Sequence, residues 1–270
     1  MIILKKIFLT YLIPTIRWDS NSLFGNKFSP QLIFVYNTHQ TKFSLMAGTS
    51  WRTPTFLDLY WPNQGWAKGN PTLKPEESYS ADFAVEKKIQ EVLFSVNLFY
   101  RYIKDQIRWY PEDPQDPLSA WTPSNVDETF VQGGEIKSCF TIAKIFKNQL
   151  SILISANRIK KKGEEERGWQ KQAYSPLLTG IYSFDLNLPY EFKLINGLKY
   201  VNEQYLSDGE SSVKLDSYVL WNVKISKNIL NFVDVYIQIN DLFDQKGVNR
   251  VGYPQYGRSY ELGVNLRISF

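Results

Sequence analysis

Histidine and cysteine are almost absent. The 270 residues contain one of each, His39 and Cys139. A single Cys excludes a disulfide framework within the chain, and one His with one Cys excludes a zinc finger and any two-histidine metal site. No run of 18 or more apolar residues occurs, so no segment reads as a membrane-spanning helix. The charge is nearly balanced, 31 Lys and Arg against 27 Asp and Glu, and no basic block is present. A nucleic-acid partner is therefore not expected. There is no G-x-S-x-G, phosphate-loop or dinucleotide motif. The chain reads as a non-enzyme, with no cofactor and no metal.

Aromatic residues are plentiful instead: 17 Tyr, 17 Phe and 8 Trp. Aromatic and β-branched residues favour strands. Helical periodicity is nearly absent and alternation with period two recurs. Tyr260, Leu262, Val264, Leu266, Ile268 and Phe270 share one face, while Ser259, Glu261, Gly263, Asn265 and Arg267 share the other. Val233, Val235, Ile237 and Ile239 repeat the pattern, as do Phe94, Val96, Leu98, Tyr100 and Tyr102. Upstream of these, Val213, Leu215, Val219, Trp221, Val223 and Ile225 form a further apolar row. About twelve strands are expected, centred near 12, 32, 46, 81, 98, 134, 153, 179, 196, 219, 235 and 264. Each approaches the roughly ten residues of a membrane-spanning strand. Met1 to Ile16 has the lysines and apolar stretch of a short signal peptide, but no small-x-small cleavage site follows. It is read as the first strand, from about Lys5 to Trp18.

The expected connections alternate in length. Short ones fall at Asn37 to Thr41, Lys87 to Gln90, Lys144 to Asn148, Asn187 to Tyr190 and Ser226 to Asn228. Long ones fall at Ser20 to Lys27, Arg52 to Leu73, Ile107 to Asp127, Lys160 to Gln172, Glu203 to Ser212 and Asp244 to Gly257. Long loops at one end and short turns at the other are the habit of an outer-membrane barrel, where the short turns face the periplasm. Seven of the eight tryptophans fall at the long-loop end, with Trp221 alone inside a strand, which fits an interfacial aromatic girdle. A soluble β-protein would put its tryptophans mid-strand on the inner face.

At this point a family resemblance emerges. Arg52-x-Pro54-x-x-x-Asp58-Leu59-Tyr60, then Gly69-Asn70-Pro71-x-Leu73-x-Pro75-Glu76-x-Ser78, resembles the outer-loop signature of TonB-dependent outer-membrane receptors. Tyr100, Ile107 and Val131-Gln132-Gly133-Gly134-Glu135 fit the same family. Asn240-x-Leu242-Phe243-Asp244, Gly252-Tyr253-Pro254-x-x-Gly257-Arg258 and a strand ending in Phe270 are similar to its last two strands. The likeness runs along the whole chain and leans toward the cobalamin-receptor branch.

The resemblance implies an all-β, antiparallel transmembrane barrel of about twelve strands that is part of a 22-stranded one. Residues 1–270 would be a C-terminal barrel portion, without the plug domain that contacts TonB. The implied function is energised uptake of a scarce nutrient, such as a cobalamin or a metal chelate. The implied partners are outer-membrane lipid, a small nutrient ligand and, through an absent plug, TonB. The barrel-assembly machinery would read Tyr260, Leu266, Ile268 and Phe270. The alternative is a complete small outer-membrane barrel, either a channel or a hydrolase. The lone His39, in a short periplasmic turn, argues against the hydrolase.

The residues suited to stack on a flat ligand are Trp61, Trp66, Trp109, Tyr110, Trp121 and Tyr253, all near loops of the barrel mouth. Membrane-interface anchoring is the competing role for each. Cys139 is read as a small buried or lipid-facing side chain. Lys160 to Arg167 is read as a solvated loop tip. Glu112, Asp113 and Asp116 lack the spacing of a calcium loop.

Overall fold

The structure is a computed structural model that describes residues 9–113, 118–143, 145–160, 165–209, 213–230, 232–245, 248–250, 253–254 and 256–266. Lys5, Glu164, Asp116, Gly252, Arg267, Ile268 and Phe270 lie outside the described residues.

Twelve long strands follow one another by simple antiparallel pairing. They are β1 (Leu9–Asn21), β2 (Gly25–Asn37), β3 (Thr41–Arg52), β4 (Glu76–Ile89), β5 (Val92–Pro111), β6 (Trp121–Ile142) and β7 (Phe146–Lys160). After the short β8 (Gln170–Lys171) come β9 (Leu178–Asn187) and β10 (Phe192–Val201). The pairs β11 (Gln204–Tyr205) with β12 (Lys214–Leu215), and β15 (Val248–Arg250) with β16 (Tyr253–Pro254), are small ladders inside loops. The last long strands are β13 (Tyr218–Leu230), β14 (Val233–Asn240) and β17 (Ser259–Leu266). One short helix, α1 (Phe56–Tyr60), sits between β3 and β4. Among the described residues no ladder joins β1 to β17, so the sheet is a curved wall with two edges.

The register makes that wall amphipathic from edge to edge. Leu12 pairs with Phe34, Phe34 with Leu45, Leu45 with Phe83, and Phe83 with Leu98. The row continues through Gly134, Ile154 and Leu178 and, eight residues along β9 toward the short-turn end, from Leu186 through Leu194, Ile225, Ile237 and Leu262. Because successive side chains alternate between faces, a one-residue slip anywhere would turn a strand's apolar set inward. The exposed large hydrophobics lie mostly on this one face, which is the lipid-facing surface of a transmembrane barrel sheet. The opposite face carries Ser80, Asp82, Asn97, Arg101, Glu135, Lys137, Lys224, Gln238 and Glu261 and lines the lumen. Ion pairs brace its short-turn end, Lys42–Glu86 at 3.1 Å and Lys193–Asp185 at 2.8 Å.

Among the described residues, two buried polar side chains lie on the lipid-facing row, Asn148 and Asn196. Tyr182 receives a hydrogen bond from Asn148 at 2.7 Å. The Trp221 indole N–H donates to the Asn196 side-chain Oδ1. An unpaired amide facing hydrocarbon costs several kcal/mol, so each asparagine is covered by an aromatic residue with a polar atom. On the lumen face a Cβ on Gly133 would lie 2.7 Å from the Phe99 ring and 2.2 Å from the Ile154 carbonyl oxygen. The glycine lets the cross-strand ring lie flat on the wall.

The connections sort as the alternation in loop length predicts. The described residues within 38–40, 90–91, 143–145, 188–191 and 231–232 lie in the turns at one end. The described residues within 53–75, 112–120, 161–177, 202–217 and 241–258 lie in the loops at the other. Several expectations need correction. Ser20 to Lys27 is not a long loop, because only residues 22–24 join β1 to β2. Asn21 Oδ1 accepts from the Leu23 and Phe24 N–H groups, and Gly25 has a φ of +77°, which closes the chain at once. Ile107 to Asp127 is mostly strand: β5 has 20 residues and β6 has 22. About ten suffice to cross a bilayer, so the outer half of this hairpin stands clear of it. Trp221 lies three residues from the start of β13, so all eight tryptophans gather at the long-loop end. Val213 and Leu215 precede β13 rather than extend it. Cys139 falls on the lumen row, half-buried. His39 sits exposed in the 38–40 turn.

The face assignment has a direct consequence for substitutions. Leu98→Arg, near the middle of the lipid row, is expected to cost about 2–4 kcal/mol, and Asn97→Arg on the lumen row less than about 1 kcal/mol. Urea titration of the protein folded in lipid vesicles checks this. Equal losses for the two variants would contradict the assignment.

Candidate functional site at the long-loop end

The residues of the loop signature form one knot around the projecting β5–β6 hairpin. Thr55 caps α1 by a reciprocal box. The Asp58 N–H donates to Thr55 Oγ1 at 3.1 Å, and the Thr55 N–H and hydroxyl both donate to Asp58 Oδ2, at 3.0 and 2.7 Å. The other carboxylate oxygen of Asp58 accepts the Trp109 indole N–H at 3.1 Å. The helix is thereby tied to β5.

Leu59 and Leu73 pack on Ile107 as a small buried cluster, with Phe24 against it. Arg52 grips Glu76 with two nitrogens, at 2.7 and 2.5 Å, and Glu76 Oε1 also accepts the Ile107 N–H at 2.7 Å. Asn70 donates to the Pro123 carbonyl at 3.0 Å, and its own N–H donates to the Asp58 carbonyl at 2.7 Å. Gly69 permits the close crossing of the loop over itself: a Cβ there would lie 2.5 Å from the Trp61 nitrogen. Pro54 is buried, Pro75 half-buried, and Tyr60 and Pro71 are exposed. Asn125 closes the knot, accepting the Lys74 N–H at 2.9 Å and donating to the Lys74 and Asp105 carbonyls at 2.9 and 2.6 Å. Asn125 carries no local sequence signal; its partners are 20 and 51 residues away.

Asp105 explains why β5 can serve two surfaces. Its φ of +54° breaks the strand's regular alternation while the pairing on either side keeps register. Beyond it, Ile107 and Trp109 meet the signature loop, while Gln106 accepts a hydrogen bond from Thr129 at 2.8 Å.

The six aromatic candidates divide. Trp61 stands edge-on to both Trp66 and Trp109, with ring centroids 6.1 and 6.3 Å apart. Its indole N–H is buried with no partner among the described residues. Trp66 and Trp121 are exposed and are joined through the backbone, the Trp121 N–H donating to the Trp66 carbonyl at 2.8 Å. Trp109 is committed to Asp58. Tyr110 is held apart from these four, donating to Asp208 at 3.1 Å. The Tyr253 side chain lies outside the described residues.

The second motif builds the junction of β13, β14 and β17. The Leu242 N–H donates to the Trp221 carbonyl at 2.8 Å, and Phe243 packs on the Trp221 ring at 5.3 Å. Asn240 Nδ2 donates to Ser259 Oγ at 3.3 Å, and Asp244 accepts the Arg258 N–H at 2.8 Å, next to half-buried Gly257. Tyr260 and Leu266 stand exposed on the lipid-facing row of β17.

A transmembrane antiparallel sheet that gathers its long loops into a knot at one end has the build of an outer-membrane barrel wall. A sequence model described as "TonB dependent receptor-like, beta-barrel" matches residues 10–242, and the chain belongs to that family. It is 31% identical over 247 residues to a vitamin B12 transporter, BtuB, of Photobacterium profundum, covering 91% of this chain and 39% of the relative. A vitamin B12 transporter of Vibrio vulnificus is 28% identical over 259 residues, again with 39% of its length covered. The fold is similar to the ferric enterobactin receptor PfeA of Pseudomonas aeruginosa, with a TM-score of 0.73, 16% identity, and 95% and 43% of the two chains covered. It is also similar to the copper transporter OprC, with a TM-score of 0.72, 14% identity, and 89% and 40% covered. The chain thus spans about two-fifths of the length of these relatives.

Asp58 gives the knot a pH dependence. Burial opposes its charge, but the hydrogen bonds from Thr55 and Trp109 and the nearby Arg52 outweigh that, so its carboxyl titrates below the usual carboxylate value. Its stabilising effect is complete above the unfolded pKa of about 4 and is lost as pH falls through the lower folded value. Hydrogen exchange at residues 56–61 should accelerate there, and Asp58→Asn should give fast exchange already at neutral pH. A profile that Asp58→Asn leaves unchanged would refute the assignment.

Proposed function

We propose that this chain forms the C-terminal part of the barrel of an outer-membrane receptor that captures a scarce nutrient, of the cobalamin or metal-chelate kind, for uptake energised through TonB. The observation that carries this reading is the signature knot, residues 52–76 wrapped on the β5–β6 hairpin at the mouth of an amphipathic wall. The relatives named vitamin B12 transporter favour a cobalamin-like ligand.

In this reading the long loops are outside the cell and the short turns face the periplasm. The bare edges at β1 and β17 are met by further strands of a wider barrel, since unpaired backbone groups at membrane depth each cost several kcal/mol. The lumen would hold a plug domain carrying the TonB contact. Tyr260 and Leu266, on the terminal strand, would take part in recognition by the barrel-assembly machinery. Trp66 and Trp121, exposed and backbone-linked, are the better placed of the aromatic candidates for stacking on a ligand. Trp61 and Trp109 act by holding the loop beneath them.

Two measurements test this. Labelled cobalamin and a labelled ferric chelate are offered to cells producing the chain with the rest of its receptor. Uptake of one that collapses when the proton gradient is discharged supports the reading, and uptake of neither contradicts it. Separately, an impermeant thiol reagent on intact cells should label Glu166→Cys and leave His39→Cys untouched, in a Cys139→Ser background. The reverse pattern would invert the orientation.

A further inference from the structure

The loop 165–177 and the loop segment 202–209 are fastened to each other. The Tyr174 N–H donates to the Tyr205 carbonyl at 2.9 Å, and the Gly209 N–H to the Lys171 carbonyl at 2.7 Å. The Lys171 ammonium lies 4.9 Å from the centre of the Tyr205 ring and reaches its hydroxyl at 3.3 Å. The Ala173 N–H donates to Asp208 Oδ1 at 2.9 Å. These contacts tie the two segments into one body.

Asp208 ties that body to β5. Its side chain is only 2% exposed. Arg108 Nη1 lies 3.2 Å from both carboxylate oxygens, and the Tyr110 hydroxyl donates to Oδ2 at 3.1 Å. Arg108 also lies over the Tyr110 ring, 5.2 Å from its centre. Burial first, and then the Asp208 charge, hold the Tyr110 phenol protonated well above its usual range, so it stays a donor. Three strands, β6, β7 and β9, separate β5 from β10 in the sheet, so Asp208 reaches β5 only because its loop leans across the mouth.

A guanidinium, a phenol and a backbone N–H converging on one carboxylate have the composition of an anion-recognition site. We propose that Arg108, Tyr110 and the Ala173 N–H form a carboxylate socket that the chain fills with its own Asp208, which thereby latches the two outer loops over the mouth until an anionic oxygen group of the incoming ligand, carboxylate or phosphate, displaces it. The displacement step rests on the reading of this end as the ligand-receiving mouth; the latch itself does not.

The test needs no nutrient. In outer membranes carrying the whole receptor, with Cys139→Ser, nitroxides are placed on the exposed sites Lys104→Cys of β5 and Ser207→Cys of the loop, and their separation is read by pulsed electron resonance. The wild-type latch should give one narrow distance. Asp208→Ala should broaden it and shift it to longer values, and Arg108→Ala should do the same, with the double variant no worse than either single. Sodium formate should restore the narrow distance in Asp208→Ala, where sodium chloride at the same concentration does not. It should fail to do so in the double variant. All variants should keep the heat-modifiable migration of a folded barrel. An unchanged distance in Asp208→Ala would overturn the latch, and a latch that opens but is not restored by formate would overturn the socket. Failure of cobalamin or chelate uptake would leave both outcomes readable, which separates this proposal from the functional one.

Discussion

Every backbone polar group in a bilayer needs a partner within the protein, and the rest of this structure depends on that constraint. A single unbroken antiparallel ladder from β1 to β17 answers it, and the ladder in turn fixes which residues see lipid. Since pairing register and side-chain direction are locked together, the apolar row on one strand dictates the row on the next. The lumen is polar as a by-product: once one face is assigned to hydrocarbon, charges such as Arg101, Glu135 and Lys224 have only the other face to occupy. The two asparagines on the lipid side show how strict the rule is, since each is roofed by an aromatic partner with a polar atom.

At the long-loop end water is available and the constraint relaxes. There the chain uses side chains to do what ladders do in the wall. Asp58, Glu76, Asn70 and Asn125 each serve two or more groups of the loop or the hairpin, so a 23-residue connection, 53–75, is held by a few polar hubs around three buried apolar residues. A helix cap of this kind is worth about 1 kcal/mol, and the contribution of the hubs together exceeds it through shared partners. The family signature is thus mainly a folding signature: most of its residues bond one another rather than face solvent where a ligand would meet them.

Most of the wall was legible in the sequence because period two is a strong signal when one face meets lipid. It failed where local chemistry overrode the pattern. Asn21 and Gly25 compress an apparent loop into a three-residue turn. Asp105, with its left-handed backbone, interrupts the alternation of β5, so the strand beyond it looked like loop. The aromatic candidates were recognisable by type and position, but not their division between exposed Trp66 and Trp121 and committed Trp109. Asp208 and Asn125 left no trace at all, since their partners are remote in the chain and an isolated Asp or Asn in a loop is the commonest of residues.

The gathering of all eight tryptophans at one end makes the protein optically one-sided. Its indole emission comes wholly from the mouth and the adjoining rim, and the opposite half of the wall is dark apart from tyrosine. Quenchers confined to one leaflet, or soluble ones added to one compartment, would therefore report the chain's orientation without any label being attached. Changes in emission on adding a solute would speak only of the loops, however far the rest of the barrel moved.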